Sequence, residues 1–103
     1  MSFSVRYSAT ARADLRRLYG HLLERCVYAE DVALAERALA AIEDAVLGLT
    51  RTPFIHRKAG RSPFLRELVI AFGHAGYVAL FEIDDSATVT ILAVRHQLED
   101  DYH

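Results

Sequence analysis

Cysteine, proline and tryptophan are scarce in this chain, and their scarcity narrows the possible architectures. The 103 residues include one cysteine, two prolines and no tryptophan. The single cysteine, Cys26, excludes an intramolecular disulfide, and its place in an apolar helical stripe indicates a small core residue. We therefore expect a domain that folds without covalent cross-links in a reducing compartment, the cytoplasm.

Long apolar runs and cofactor motifs are missing as well. No segment approaches the roughly 18 apolar residues that span a bilayer, and no export signal precedes the first strand pattern. The sequence contains neither a glycine-rich phosphate-binding loop nor the Gly-x-Ser-x-Gly turn that carries the nucleophile of a serine hydrolase. The five histidines stand apart from one another and from Cys26. We expect no membrane association, no cofactor and no metal site.

The composition that remains is that of one folded domain, residues 1–103. Hydrophobic residues make up 52% of the chain and charged residues 25%, which excludes a disordered chain. The net charge of −2 conceals a segregation of sign. Between Thr50 and Arg66 the sequence contains five basic residues and no acid, whereas acids gather at 82–85 and 99–101. Such a polarity either steers a charged partner or reflects solvated loops.

The hydrophobic periodicity predicts an α+β domain with the order β-α-α-β-β-β. Alternation over residues 3–7 indicates a strand, and helical spacing follows over 9–25 and from an Asp31 cap to about 49. Three strand patterns cover residues 64–72, 77–83 and 88–94, joined by short turns. We expect an antiparallel sheet with the helical hairpin packed on one face.

These elements carry more apolar surface than two helices can hide. The second and third predicted strands are apolar on both faces, although a half-solvated antiparallel sheet normally has one polar face. The second helix also has apolar residues outside its main stripe, among them Leu34 and Ala41. Either a small domain exposes these residues harmlessly, or a partner segment covers them.

The most informative segment is the last one, in which the strand pattern of Val94 gives way to a polar tail that ends at His103. Three short motifs accompany this tail and the β-α-α-β-β-β order of the elements. They are Ala13-Asp-Leu15, Leu65-Arg-Glu-Leu68 and Ile91-Leu-Ala-Val-Arg-His-Gln97, and their order and spacing are those of one known superfamily. The whole chain resembles the ParE branch of the RelE/ParE superfamily of type II toxin–antitoxin toxins.

The resemblance implies one of two mechanisms. RelE-like members are ribosome-dependent mRNA endoribonucleases, which need a proton acceptor, a proton donor and fixed positive charge at the phosphate. ParE-like members instead poison DNA gyrase and block replication. A third alternative is a degenerate member that serves only to bind its antitoxin.

The nuclease alternative has an incomplete set of candidate residues here. RelE-like nucleases carry an arginine after a Gly-Tyr pair, where this chain has the apolar Val78. Arg66, His96 and Tyr102 could form a reduced set, with Arg66 on the phosphate and His96 as acid or base. The acids at 99–101 would repel a phosphate. We therefore expect the gyrase mechanism and assign no catalytic residue.

The resemblance also implies two protein-binding surfaces. The target surface is expected in the tail, at Arg95, His96, Gln97, Glu99, Asp100 and Tyr102. A ParD-like antitoxin is expected on the helical hairpin and sheet, at Leu34, Ala41, Arg57, Lys58 and Arg61. No sequence-specific DNA binding by this chain alone is expected.

Overall fold

The computed structural model describes residues 2–99. The elements are β1 (Ser4–Tyr7), α1 (Ala9–Glu24), α2 (Ala29–Leu47), two short 3-10 turns (Gly48–Thr50 and Pro53–Ile55), β2 (Arg57–Lys58), β3 (Leu65–Phe72), β4 (Ala75–Ile83) and β5 (Thr88–His96). This order confirms the predicted α+β class, with the helical hairpin before the three-stranded meander. The two-residue strand β2 is an addition that the sequence pattern did not indicate.

The sheet is mixed, with the strand order β1-β5-β4-β3-β2. The predicted meander is confirmed, because β4 pairs antiparallel with both β3 and β5. The first strand differs from the expectation of an antiparallel sheet, since β1 lies parallel to β5 with Val5 opposite Val89. Periodicity predicts that a strand exists but not which strand it pairs with. Here the helical hairpin crosses one face of the sheet between β1 and the meander.

The helices begin at capping residues that the sequence partly revealed. Ser8 caps α1, since its hydroxyl accepts a hydrogen bond from the Ala11 N–H at 3.0 Å. Helix α2 begins earlier than expected, because the Asp31 carboxylate accepts hydrogen bonds from the N–H groups of Val27 and Tyr28 at 3.0 Å each. These backbone hydrogen bonds hold the pKa of Asp31 below its ordinary value.

The core lies between the helical hairpin and one face of the sheet. Phe81 and Ile91 are completely buried in its centre, and Ile42 and Val46 of α2 pack against that face. This arrangement confirms the predicted burial of one sheet face. The opposite face carries no helix within residues 2–99, and Val69 is 49% exposed there. Nowhere in residues 2–99 is a helix long and apolar enough to traverse a lipid bilayer.

The edge of β5 is completed by residues at the start of α1. Strand β1 covers β5 only as far as Ile91, and a register irregularity follows. Beyond that point Ser8 donates its N–H to the Ile91 carbonyl at 2.9 Å and its hydroxyl to the Leu92 carbonyl at 3.0 Å. The Asp14 carboxylate, only 4% exposed, accepts the Val94 N–H at 2.8 Å. Backbone groups left unpaired by the short β1 are thus satisfied.

Candidate functional site

The chain reverses direction directly after β5, and this carboxyl-terminal turn (residues 96–99) contains part of the predicted target surface. The Gln97 N–H donates to the Gly76 carbonyl at 2.9 Å, which extends the pairing of β5 with β4 by one residue. The Leu98 N–H donates to His96 Nδ1 at 3.1 Å, and the Glu99 N–H to the His96 carbonyl at 3.0 Å. These bonds give the turn a defined conformation.

Two arginines fasten the carboxyl-terminal turn to the rest of the molecule. Arg17 of α1 forms an ion pair with Glu99, with 2.7 Å between Nη1 and Oε1. Arg95 donates from Nη1 to the Glu99 carbonyl at 2.8 Å. The other Glu99 carboxylate oxygen accepts the His96 N–H at 3.2 Å. Because Glu99 is paired in this way, its charge is offset by Arg17.

A cleft of about 370 Å³ lies between this turn and α1. Leu18, Leu22 and Tyr77 supply apolar surface, and the other lining residues are His21, Arg25, His96, Leu98 and Glu99. Burial raises the pKa of Tyr77, so its hydroxyl stays neutral at physiological pH. Leu98 beside the cleft is 79% exposed. An apolar surface bordered by charged groups is the arrangement that a protein partner contacts.

The His96 ring is held by its own turn and by Tyr77. The two rings meet edge to face, with centroids 5.4 Å apart. Because Nδ1 accepts the Leu98 N–H, the proton of the neutral ring lies on Nε2. In this state the ring offers a donor, not a base, to anything that enters the cleft.

Arg66, the predicted phosphate ligand, is engaged within the fold. Its guanidinium donates to the carbonyl oxygens of Phe54 at 3.0 Å, His56 at 2.8 Å and Pro63 at 2.8 Å. It also lies over the Phe54 ring, 5.4 Å from the centroid. The arginine therefore joins the loop of residues 54–63 to β3.

The structure does not bring Arg66 and His96 together. His96 is opposite Tyr77, which is opposite Ile70, four residues along β3 from Arg66. Two strand spacings across and four residues along separate the two backbone positions by roughly 16 Å. Tyr102, the third member of the reduced nuclease set, lies outside the described residues, as does the predicted contact residue Asp100.

The residues predicted to bind an antitoxin fall on two surfaces. Arg57 and Lys58 form β2 and are exposed, with Arg57 paired to Glu67 at 3.0 Å, and Arg61 is exposed in the next loop. Leu34 is 45% exposed and Ala41 is partly buried. Seven residues apart on α2, these two lie on the same side of the helix.

A second apolar surface runs beside the helical hairpin. Two adjoining clefts of about 330 and 280 Å³ share Arg12, Leu15 and Glu43. We call them the helical groove; the other lining residues are Val5 and Tyr7 of β1, Arg16 and Tyr19 of α1, and Leu39, Val46 and Leu47 of α2. Leu15 and Leu39 follow the helical spacing from which the two helices were predicted, and Leu15 also packs against the core. That spacing did not indicate that both residues border a groove.

Residues 2–99 contain no cluster of three or more histidine, cysteine or acidic side chains suited to a metal ion. Residues 5–101 match the family described as the ParE toxin of the type II toxin–antitoxin system parDE. The chain belongs to this family. It is a toxin of the type II toxin–antitoxin class.

Curated relatives and solved structures agree with this family. Toxin RelE1 of Caulobacter vibrioides is 34% identical over 99 residues, covering 96% of this chain and 98% of the relative. Toxin RelE3 of the same organism is 35% identical over 98 residues, covering 93% and 96%. The relatives thus carry the RelE name while the family carries the ParE name.

Two solved toxin–antitoxin structures share the fold. A chain of the chromosomal ParDE system from P. aeruginosa has a TM-score of 0.73 at 20% identity, covering 92% of this chain and 96% of that chain. A chain of the RelBE2 complex from Mycobacterium tuberculosis has a TM-score of 0.63 at 28% identity, covering 96% and 95%. The ParE/RelE toxin fold therefore extends over nearly the whole chain.

Proposed function

We propose that this toxin acts in the cytoplasm by inhibiting DNA gyrase, so that replication stops, and that a ParD-like antitoxin neutralises it. The observation that carries the choice of target is the position of Arg66. Its guanidinium is engaged by three carbonyl oxygens of its own loop. A nuclease of the RelE kind needs free cations around the scissile phosphate, and this arginine is the one that the sequence offered for that role.

The state of His96 supports the same choice. Cleavage through a 2′-hydroxyl needs a group that takes the hydroxyl proton within hydrogen-bond reach. His96 Nδ1 already accepts the Leu98 N–H, and Arg66 lies roughly 16 Å away by strand geometry. A gyrase inhibitor needs no bond-making residue, only a surface that the topoisomerase binds.

We place that surface at the carboxyl-terminal turn and its cleft. Arg95, His96, Gln97 and Glu99 lie together there, and the exposed Leu98 adds an apolar contact. Exposed apolar groups inside a charged rim are typical of the centre of a protein interface. Asp100 and Tyr102, which follow directly in the sequence, complete the proposed contact. The mechanism requires no sequence-specific DNA binding by this chain.

The alternative is a RelE-like ribosome-dependent mRNA endoribonuclease. One observation favours it, because both curated relatives are named RelE toxins. Under this alternative His96 and Tyr102 would act on the RNA, with Arg66 or another cation at the phosphate.

One experiment separates the two targets. Purified toxin is added to gyrase with supercoiled DNA and, separately, to ribosomes translating a defined mRNA. We expect gyrase cleavage complexes and intact mRNA, whereas codon-phased cuts would establish the nuclease. If neither occurs, the chain serves only to bind its antitoxin.

A matched pair of variants locates the target surface. Leu98→Asp places a charge on the proposed contact, and Val27→Asp does the same in the helical-hairpin loop, at a side chain of similar exposure, 79% against 77%. We expect Leu98→Asp to lower gyrase inhibition at least tenfold and Val27→Asp to leave it unchanged. Equal activity of the two variants would remove the carboxyl-terminal turn from the proposal.

The antitoxin is proposed to place a helix in the helical groove and to pass over the other side of α2. The groove has apolar sides with two cations, Arg12 and Arg16, and one acid, Glu43, beside them, which suits an amphipathic helix with more acidic than basic residues. The exposed Arg57, Lys58 and Arg61 would attract an acidic segment of the same chain.

Two further substitutions test each side of α2. Leu47 in the groove is 62% exposed and Leu34 on the other surface is 45% exposed, so aspartate at either position is compatible with folding. We expect Leu47→Asp and Leu34→Asp each to weaken binding of the antitoxin encoded beside the toxin. Val27→Asp serves as the control. A variant that binds as tightly as wild type excludes its side of α2 from the contact.

A further inference from the structure

A further cavity lies at the opposite end of the sheet from the carboxyl-terminal turn. This phenylalanine pocket, about 450 Å³, is lined by Phe3, Phe54, Phe64, Ile83 and the acidic turn of residues 84–86. Ile83 and Tyr77 are six residues apart on β4, so about 20 Å separates the pocket from the target cleft. Neither the proposed target surface nor the helical groove accounts for it.

Two phenylalanine rings remain half exposed at this pocket. Phe54 is 49% exposed and Phe64 is 48% exposed, and their rings meet edge to face at a centroid distance of 6.3 Å. Apolar rings grouped around a concave surface are typical of a site that buries a partner side chain.

The pocket is also rigidly constructed. Arg66 donates to the carbonyl oxygens of Phe54 at 3.0 Å and of Pro63, the residue before Phe64, at 2.8 Å. The Phe64 carbonyl in turn accepts the Ile83 N–H at 2.8 Å. Both phenylalanine backbones are therefore fixed before any ligand arrives, which lowers the entropic cost of binding. Arg66 is a positioning residue for this pocket.

Two carboxylates line the pocket, and within residues 2–99 one of them is paired with a cation and the other is not. The Asp84 carboxylate accepts hydrogen bonds from Arg6, at 3.4 Å, and from the Thr90 hydroxyl. Asp85 accepts the Ala87 N–H at 2.8 Å, and no cation within residues 2–99 pairs with its carboxylate. An occupant that fits both features has an apolar side chain with a lysine or arginine close to it. A nucleic acid does not fit, because its phosphates would meet these carboxylates.

The pocket and the helical groove adjoin along β1. Phe3 lines the pocket and Val5 lines the groove, and two residues of strand separate them by about 7 Å. The Phe3 N–H donates to the Thr50 carbonyl at 2.7 Å, so the first 3-10 turn lies beside the strand that joins the two sites. An extended chain that leaves the groove reaches the pocket within a few residues.

We propose that the phenylalanine pocket receives an anchor from the antitoxin, an aromatic or branched aliphatic side chain with a lysine or arginine within two residues. This inference rests on the proposed neutralisation by an antitoxin and adds a second contact beyond the groove. The apolar side chain enters between Phe54 and Phe64, and the basic side chain pairs with Asp85.

The test measures binding of the full-length toxin to the antitoxin encoded beside it, by titration calorimetry. Phe64→Ala is expected to weaken binding at least tenfold, whereas Ile55→Ala, at a 74% exposed residue of the same loop that does not line the pocket, leaves binding unchanged. Asp85→Asn is expected to weaken binding about threefold at low salt, with the difference lost in molar salt. Glu24→Gln, an exposed acid of α1, is its control. Thermal melting confirms that each variant is folded.

A photo-cross-linker identifies the occupant. Benzoylphenylalanine at position 64 is expected to cross-link to an antitoxin segment with the stated apolar and basic residues. A cross-link to a second toxin molecule or to an acidic segment would overturn the inference, as would wild-type affinity of Phe64→Ala. If wild-type toxin binds no antitoxin, the proposed neutralisation fails together with this inference. If wild-type toxin binds the antitoxin and the pocket variants bind it equally tightly, only this inference fails.

Discussion

Replacement of the buried Asp14 allows a quantitative prediction about the stability of the domain. It is 4% exposed and accepts the Val94 N–H at 2.8 Å, where β1 no longer covers β5. Asp14→Ala removes the acceptor and leaves a buried donor without a partner. A hydrogen bond to a charged group contributes about 1.5–3 kcal/mol, and an orphaned donor costs a similar amount. Part of this loss is recovered because a buried carboxylate no longer has to be desolvated.

We therefore expect Asp14→Ala to lower the free energy of unfolding by about 2–3 kcal/mol. In a domain of this size each kcal/mol shifts the melting temperature by about 4–8 °C, so a decrease of roughly 8–24 °C should follow. Asp14→Asn retains an oxygen acceptor and should lose about half as much. The exposed Asp44→Ala, on α2, is the control and should remain within about 0.5 kcal/mol of wild type.

The assay is urea unfolding followed by circular dichroism, with an unchanged slope taken as evidence that only stability changed. Amide exchange of Val94 should accelerate in Asp14→Ala beyond the global change. Two results would refute the reasoning. One is an Asp14→Ala variant as stable as Asp44→Ala, and the other is an asparagine variant as unstable as the alanine variant.

Three further predictions follow from the same structure. Gly76→Ala would place a methyl group 1.9 Å from a carbonyl oxygen of β3 and should cost several kcal/mol, whereas Gly20→Ala meets nothing within 4 Å and should stabilise α1 by about 0.5–1 kcal/mol. Burial, and secondarily the charge of Arg66, lower the pKa of His56 below its ordinary value of 6.5. Because the folded state favours the neutral ring, the free energy of unfolding should have its full value above pH 6.5 and should decrease as the pH falls below it. The Arg17–Glu99 ion pair is partly exposed, and a double-mutant cycle with alanine at Arg17 and glutamine at Glu99 should give a coupling of about 0.5–1 kcal/mol in urea unfolding.

Each of these predictions can fail on its own measurement. A higher denaturation midpoint for Gly76→Ala than for Gly20→Ala would contradict the close approach of β3 to Gly76. The pH dependence assigned to His56 should disappear in His56→Gln, and its persistence would assign it to another group. Additive losses in the double-mutant cycle would mean that the ion pair contributes nothing.

Most of the fold could be predicted because its elements are apolar segments of distinct pattern, separated by polar turns. Short apolar runs at β3 to β5 and helical spacing in α1 and α2 reflect burial in a single core, so the meander and the hairpin were visible in the sequence. Boundaries moved by a few residues where local bonds decide them. Gly73 adopts a φ of +62°, which makes a two-residue turn and lets β4 begin at Ala75 instead of Tyr77.

Pairing between distant segments could not be predicted in the same way. Two residues cannot display alternation, so β2 was not visible, and nothing in β1 reveals that its neighbour is β5. The ion pair between Arg17 and Glu99 joins residues 82 positions apart. The fold had to be known before these partners could be identified.

The candidate sites show the same limit. The tail residues through Glu99 do lie together, because they are consecutive in sequence. Arg66 was selected from its charge and strand position, yet its contacts are carbonyl oxygens that no motif encodes. Leu15 and Leu39 line the helical groove, and Leu15 also packs against the core. A helical stripe does not distinguish burial against a sheet from partial burial at the side of a groove.

The parallel pairing of β1 with β5 has a consequence for synthesis of the chain. Ser8 and Asp14 find their partners at Leu92 and Val94, 84 and 80 positions later. A nascent polypeptide therefore cannot close its sheet until β5 has emerged from the ribosome, since contacts so distant form only when both segments are free. A product truncated before β5 has no partner for its first strand.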